Sequence, residues 1–107
     1  MLARGYARVS GKEQLDGHSL EAQHSSIETL CRQRGWQLDH FYVDAGISAK
    51  MDSHRPAFEQ MLADARAGKF QVLVVDKIDR FYRHLRGCLW ALDELNAHDV
   101  TFVAVRE

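Results

Sequence analysis

The stretch FQVLVVDK, residues 70–77, constrains this chain more than any other. Successive side chains of a strand point to opposite faces, so Val72, Leu73, Val74 and Val75 need apolar cover on both sides. A half-solvated antiparallel sheet would alternate apolar and polar residues instead. A continuous Val/Leu run suits a central strand of a parallel sheet with helices packed on both faces.

The rest of the chain supplies those helices and further strands. LARGYARV, residues 2–9, reads as the first strand. Residues 19–34 read as a helix with Ser19 as N-cap, apolar at Leu20, Ile27, Leu30 and Cys31 and stopped by Gly35. QLDHFYVD, residues 37–44, reads as a second strand, and AGISAKMDSH as a loop. A helix then starts at Arg55-Pro56, where proline fits the first turn. Phe58, Met61, Leu62 and Ala65 recur at helical spacing, and Gly68 ends the element. Residues 82–97 read as a third helix with Leu85, Cys88, Leu89, Leu92 and Leu95 on one stripe, and VTFVAV closes as a last strand. The order β-α-β-α-β-α-β predicts an α/β fold: a three-layer αβα sandwich on a mostly parallel four-stranded sheet.

With 107 residues the chain makes one small domain, and it carries no internal repeat, low-complexity tract or linker. No apolar run approaches the ~18–20 residues of a membrane span, and the N-terminus lacks a signal-peptide core, so a cytoplasmic protein with no membrane partner is expected. Cys31 and Cys88 fall on apolar helical positions and read as buried thiols. The six histidines have no metal-site spacing, so no metal and no cofactor is expected. The net charge of −1 argues against a self-sufficient nucleic-acid binder. It leaves room for a catalytic module that takes its DNA affinity from another domain.

In a parallel α/β sheet, sites gather beyond the carboxyl ends of the strands. Three unusual places fall there. Arg8 and Ser10 close the first strand and share a face by alternation. Asp44 closes the second. DKIDRFYR, residues 76–83, follows the third, with Arg80 and Arg83 on one side of a helical turn. Cations sit poorly at a helix N-terminus unless an anion lies between them. With Arg8 and Arg55 added, four guanidiniums can meet above one edge of the sheet, and their planar forks match phosphate oxygens. Arginines, a serine and the nearby carboxylate of Asp79 point to phosphoryl transfer with serine as nucleophile. Neither a GxSxG elbow nor a phosphate-binding glycine loop is present. Two other readings stay open: a metal-dependent phosphoryl-transfer or nuclease domain using Asp44, Asp76 and Asp79, and a non-catalytic assembly module. Taken singly, Ser10 also fits a turn serine and Asp79 a helix cap.

YARVS at 6–10, Gln14, SLEAQ at 19–23, DAGISA at 44–49, RP at 55–56, ADARAGKFQVLVVDKIDRFYR at 63–83 and the closing VTFVAVRE together resemble the serine recombinase family. The resemblance spans essentially the whole chain, and within the family it covers only the N-terminal catalytic domain. The SLExQ wording is most similar to the large serine recombinases and integrases. It implies site-specific DNA recombination, with Ser10 attacking a DNA phosphodiester to give a 5′-phosphoserine link and a free 3′-hydroxyl. It further implies that Arg8, Arg55, Arg80 and Arg83 bind the scissile phosphate and that Asp79 takes part in proton transfer or orients the arginines. Gln14, Gln23 and Asp44 match further polar positions of that site. DNA and other copies of the chain, as dimers or tetramers of the full-length protein, are the implied partners. The connecting helix and DNA-binding domain of that family are expected to be missing from residues 1–107, leaving a domain poor at specific DNA binding. Gly11 stands where the family commonly has threonine, and FYR replaces a more usual Leu-Ser/Gly-Arg.

Three aromatic features complete the reading. Trp36 follows the helix-ending Gly35 and is expected to staple that turn. Phe81 and Tyr82 are expected in packing rather than base stacking. Trp90 points away from the stripe of the third helix, so it is expected to be exposed and to meet another subunit or a further part of the protein.

Overall fold

A computed structural model describes residues 1–9, 20–45, 55–78 and 85–106, and all structural statements concern these. The elements run β1 (Leu2–Val9), α1 (Leu20–Arg34), β2 (Gln37–Ala45), α2 (Pro56–Arg66), β3 (Val72–Lys77), α3 (Leu85–Ala97) and β4 (Thr101–Arg106). The four strands form one sheet in the order β2-β1-β3-β4, and every pairing is parallel.

That order fixes which helix covers which face. The crossover through α1 carries the chain from β1 to the β2 edge, whereas α2 and α3 carry it the other way. Right-handed connections in opposite directions put their helices on opposite faces. Accordingly α1 lies alone on one side, where Ile27 and Cys31 pack with Ala3, Val72 and Val74. On the other side Phe58, Met61, Leu62 and Ala65 of α2, and Cys88, Ala91 and Leu95 of α3, pack with Tyr6, Tyr42, Leu73 and Val75. The β3 run is thus split as its composition demands, with Val72 and Val74 toward α1 and Leu73 and Val75 toward α2 and α3. The three-layer parallel sandwich expected from the sequence is the one observed.

The α1 face is close-fitting at Gly5. A β-carbon there would stand 2.5 Å from Phe41 Cδ1 and 3.0 Å from Ile27 Cγ2, so only glycine lets β1 pass beneath that ring. Gly35, at φ +71, ends α1 in the left-handed region, and the Trp36 N–H donates back to the Cys31 carbonyl at 2.9 Å. Trp36 then packs at the edge of the α1-side core with Arg34 over its ring, the stapled turn expected of it. Both cysteines are buried free thiols, and burial pushes both thiol pKa values up.

One expectation needs correction. Leu89 does not join the buried stripe of α3; it is 52% exposed, beside Trp90 at 49%. The buried positions are Cys88, Ala91 and Leu95, centred about half a turn away, and Leu92 is half-buried. Counting leucines widened the stripe beyond the arc that the sheet can cover. The side chain of Leu85 lies outside the described residues.

Candidate active site

The sheet order reverses direction between β1 and β3, and the crevice beyond the carboxyl ends of these strands is where such sheets hold ligands. Four of the residues singled out in the sequence converge there. Arg8 and Asp44 are register partners on adjacent strands. Arg55 directly precedes α2 and is only 2% exposed, and Arg8 is 3% exposed. Gln23, fully buried, directs its amide Nε2 to the Arg8 carbonyl at 3.4 Å. Ser10, Gln14, Asp79, Arg80 and Arg83 lie outside the described residues, as do Phe81 and Tyr82. In the chain Ser10 directly follows Val9, the last residue of β1.

Burying a guanidinium requires partners that compensate its lost hydration. For Arg55 one such partner is Tyr6, whose hydroxyl accepts from Nη2 at 2.9 Å and from Nε at 3.2 Å. The Arg55 guanidinium also stacks on Phe58, with its carbon 4.2 Å from the ring centroid. The Tyr6 hydroxyl in turn donates to Asp44 Oδ2 at 2.7 Å. A relay therefore runs from Arg55 through Tyr6 to Asp44. It needs the phenol protonated, and burial holds the Tyr6 pKa well above its ordinary value.

Asp44 does a second job in the same place. Helix α2 begins with Arg55 as N-cap and proline just inside, and Arg55 makes no side-chain cap hydrogen bond. Its first free amides have to be met from elsewhere. The Asp44 carboxylate supplies both bonds, accepting from the Ala57 N–H at 2.9 Å and from the Phe58 N–H at 3.0 Å. A carboxylate at this end also faces the positive pole of the helix. So the acid at the end of β2 fixes α2, and with it the position of Arg55.

Sequence reading missed Tyr6. Its signal was present, since Tyr6 shares strand parity with Arg8, and a tyrosine between two arginine positions on one face carries a hydroxyl that must find polar company. The same device recurs one turn of the pleat away. The Tyr42 hydroxyl accepts from Arg4 at 2.8 Å and donates to Asp64 of α2 at 2.6 Å. Asp64 Oδ1 also accepts from Gln60 at 3.0 Å. The Tyr42 hydrogen bond is the largest reason the Asp64 carboxyl lies below its usual range, while burial pushes the Tyr42 hydroxyl up to about 12. Two tyrosine relays thus tie α2 to the sheet, one at each end.

Asp76 faces the other way. It is fully buried at the end of β3, where it accepts from Ser26 of α1 at 2.7 Å and pairs with Arg106 of β4. Asp44 lies on the α2 side of the sheet and Asp76 on the α1 side, so they do not form the shared carboxylate cluster that the metal-dependent reading needs. Among the described residues no cluster of three metal-ligating side chains occurs. Nor, among these residues, is any helix long and apolar enough to cross a membrane.

The chain is a doubly wound α/β domain with two buried arginines at the switch point of its parallel sheet, and comparison with known proteins makes the class specific. Residues 3–107 match the family described as Resolvase, N terminal domain, and the chain belongs to that family. It is 44% identical over 64 residues to the uncharacterized immunity region protein 3 of Bacillus phage phi105, covering 59% of this chain and 77% of that protein. The N-terminal catalytic domain of TP901-1 integrase superposes with a TM-score of 0.88 at 29% identity, over 98% of this chain and 78% of that one. A resolvase family site-specific recombinase from Streptococcus pneumoniae gives 0.81 at 28% identity, over 98% and 72%. The C-terminal catalytic domain of ISC1926 TnpA, an IS607-like serine recombinase, gives 0.85 at 20% identity over 98% and 67%, a likeness of fold. The fold is that of a serine recombinase catalytic domain, and membership of the family implies serine recombinase chemistry.

Proposed function

We propose that this chain is the catalytic domain of a site-specific DNA recombinase in which Ser10 is the nucleophile. The Ser10 oxygen attacks the phosphorus of a DNA phosphodiester, its proton passes to a base, and the bond to the 3′ oxygen breaks as that oxygen takes up a proton from an acid. A 5′-phosphoserine ester and a 3′-hydroxyl result. Because the ester conserves the bond energy, the reverse attack by a 3′-hydroxyl rejoins strands without a nucleotide cofactor. Arg8, Arg55, Arg80 and Arg83 hold the non-bridging oxygens, Asp79 handles the proton or orients the arginines, and Gln14 and Gln23 complete the polar lining. DNA is the substrate, and the intact protein works as a dimer or tetramer, with specific DNA binding supplied outside residues 1–107.

The observation that carries the reading is the burial of Arg8 and Arg55 at the switch point, beside the strand end that leads into Ser10. Attack on a phosphodiester builds charge on oxygens, and cations fixed beforehand stabilise it without reorganising. In other phosphoryl-transfer enzymes one such arginine is worth roughly 10³–10⁵ in rate. Arg55, gripped by Tyr6 and Phe58, has the fixity that this role requires.

The test is capture of the covalent link. The intact protein is mixed with fragmented DNA of the genome that encodes it, denatured rapidly, and the DNA that stays attached is recovered. The expected product is protease-sensitive, attached at the 5′ end, formed equally in EDTA, and absent in Ser10→Ala. An adduct that survives in Ser10→Ala would sink the assignment of the nucleophile. Dependence on a divalent metal would favour the nuclease reading, and no adduct from any form of the protein would favour the assembly module.

A further inference from the structure

Arg106, at the end of β4, makes an unusual reach. It is the register partner of Lys77 and shares strand parity with Phe102 and Ala104, which pack on the α2 and α3 side. Its guanidinium nevertheless pairs with Asp76, which bonds to Ser26 on the α1 side. A side chain that starts on one face and ends on the other has to cross the carboxyl end of the sheet. It therefore lies over the end of β3, one wall of the crevice at the switch point.

The pair is also lopsided. Asp76 is fully buried and accepts from Ser26 at 2.7 Å, from Arg106 Nε at 3.2 Å and from Arg106 Nη2, whereas the Arg106 side chain is 49% exposed. Both bonds to Asp76 leave from one edge of the guanidinium fork, and the Nη1 edge carries further N–H donors. A buried carboxylate in an ion pair gives little stability over apolar packing of similar volume, because its desolvation offsets the attraction. What it does achieve is to hold a half-exposed cation in one place. Arg66 makes a useful contrast: it pairs with Glu94 and its side chain is 46% exposed, but it ends α2, at the opposite edge of the sheet.

We propose that Arg106 is a further substrate-binding residue, which grips a DNA phosphate next to the one that Ser10 attacks. β1 and β4 are two strand spacings apart, roughly 10 Å, which suits separate phosphates of one DNA strand. Asp76 fixes the guanidinium beforehand, so the grip needs little reorganisation. The proposal rests on DNA being the substrate, and it needs nothing from the chemistry of Ser10.

Each phosphate contact contributes about −0.9 to the slope of log affinity against log salt concentration. Binding of the chain to a short fluorescent DNA duplex of arbitrary sequence, followed by anisotropy as salt is raised, reads that slope. Arg106→Gln should make the slope shallower by about 0.9, and Arg106→Lys, which keeps a point charge, should preserve it. Arg66→Gln should leave the slope unchanged, which excludes a general effect of net charge. Asp76→Asn should not lessen the slope although it costs stability, whereas R106Q/D76N should lessen it as Arg106→Gln does. The readout then follows the arginine and not the folding role of the ion pair. The slope is read without strand cleavage, so a wrong nucleophile at Ser10 would leave this result standing. Equal slopes for the unaltered chain and Arg106→Gln overturn the proposal and make the pair structural only. So does a fall shared by Arg66→Gln, or an absence of binding even at low salt.

Discussion

Replacing Asp44 with alanine tests the link between the end of β2 and the site. The carboxylate accepts three hydrogen bonds, from the Ala57 and Phe58 amides and from the Tyr6 hydroxyl. Losing the helix cap costs about 1 kcal/mol. The Phe58 amide and the Tyr6 hydroxyl are buried, and a buried donor left without an acceptor costs about 1–3 kcal/mol. Allowing water to reach the Ala57 amide, the sum is about 4 kcal/mol, a large part of the ~5–15 kcal/mol that stabilises a domain of this kind. Urea denaturation followed by circular dichroism measures the loss. Asp44→Asn keeps one carbonyl acceptor and should lose only about 1–2 kcal/mol, which keeps the comparison informative if the alanine variant does not fold. Amide exchange at Ala57 and Phe58 should accelerate in Asp44→Asn before that of the β3 amides. A loss below about 1 kcal/mol for alanine, or equal damage from asparagine and alanine, would refute the capping role.

Three other expectations follow from the same contacts. Gly5→Ala forces a β-carbon to within 2.5 Å of Phe41 and should cost about 1–3 kcal/mol; Phe41→Ala in the same chain should relieve part of that cost, as a double-mutant cycle in urea would show. Tyr6 and Tyr42 hold their protons beyond the ordinary tyrosine range, so their contribution is complete below about pH 10 and is lost as pH rises above it. Asp64 is shifted the other way, so its contribution is present above about pH 4 and is lost as pH falls below. Tyr42→Phe should therefore flatten both the acid and the alkaline limb of melting temperature against pH, and two unchanged limbs would contradict the relay. Arg106→Ala removes the guanidinium paired with the buried Asp76 carboxylate, so its urea midpoint should fall further than that of R106A/D76N, in which position 76 carries no charge.

The succession of strands and helices, and the need for helices on both faces of the sheet, were legible because they rest on periodicity. The unbroken Val72–Val75 run demanded cover on both sides, and the alternation of strands with helices made the sheet parallel. Arg8 and Arg55 could be brought to the carboxyl ends of the strands from the rule that sites form there, and the structure buries both. Leu89 was misplaced because periodicity says which residues share a helix face but not how wide an arc the sheet covers.

Only the tertiary structure decided what the polar side chains do to one another. Nothing in the spacing of Tyr6, Asp44 and Arg55, which are 38 and 11 residues apart along the chain, announces a relay. The relay exists because β1 and β2 pair with Tyr6 and Asp44 near the same end, and because α2 starts there without a cap of its own. The same holds for Asp44 and Asp76. Both are strand-end acids in the sequence, yet strand parity and register turn them to opposite faces of the sheet. Sequence determined the frame because a local hydrophobic pattern repeats along the chain. The site needed tertiary structure because hydrogen bonds depend on distances set by strand register and helix docking, which no local pattern encodes.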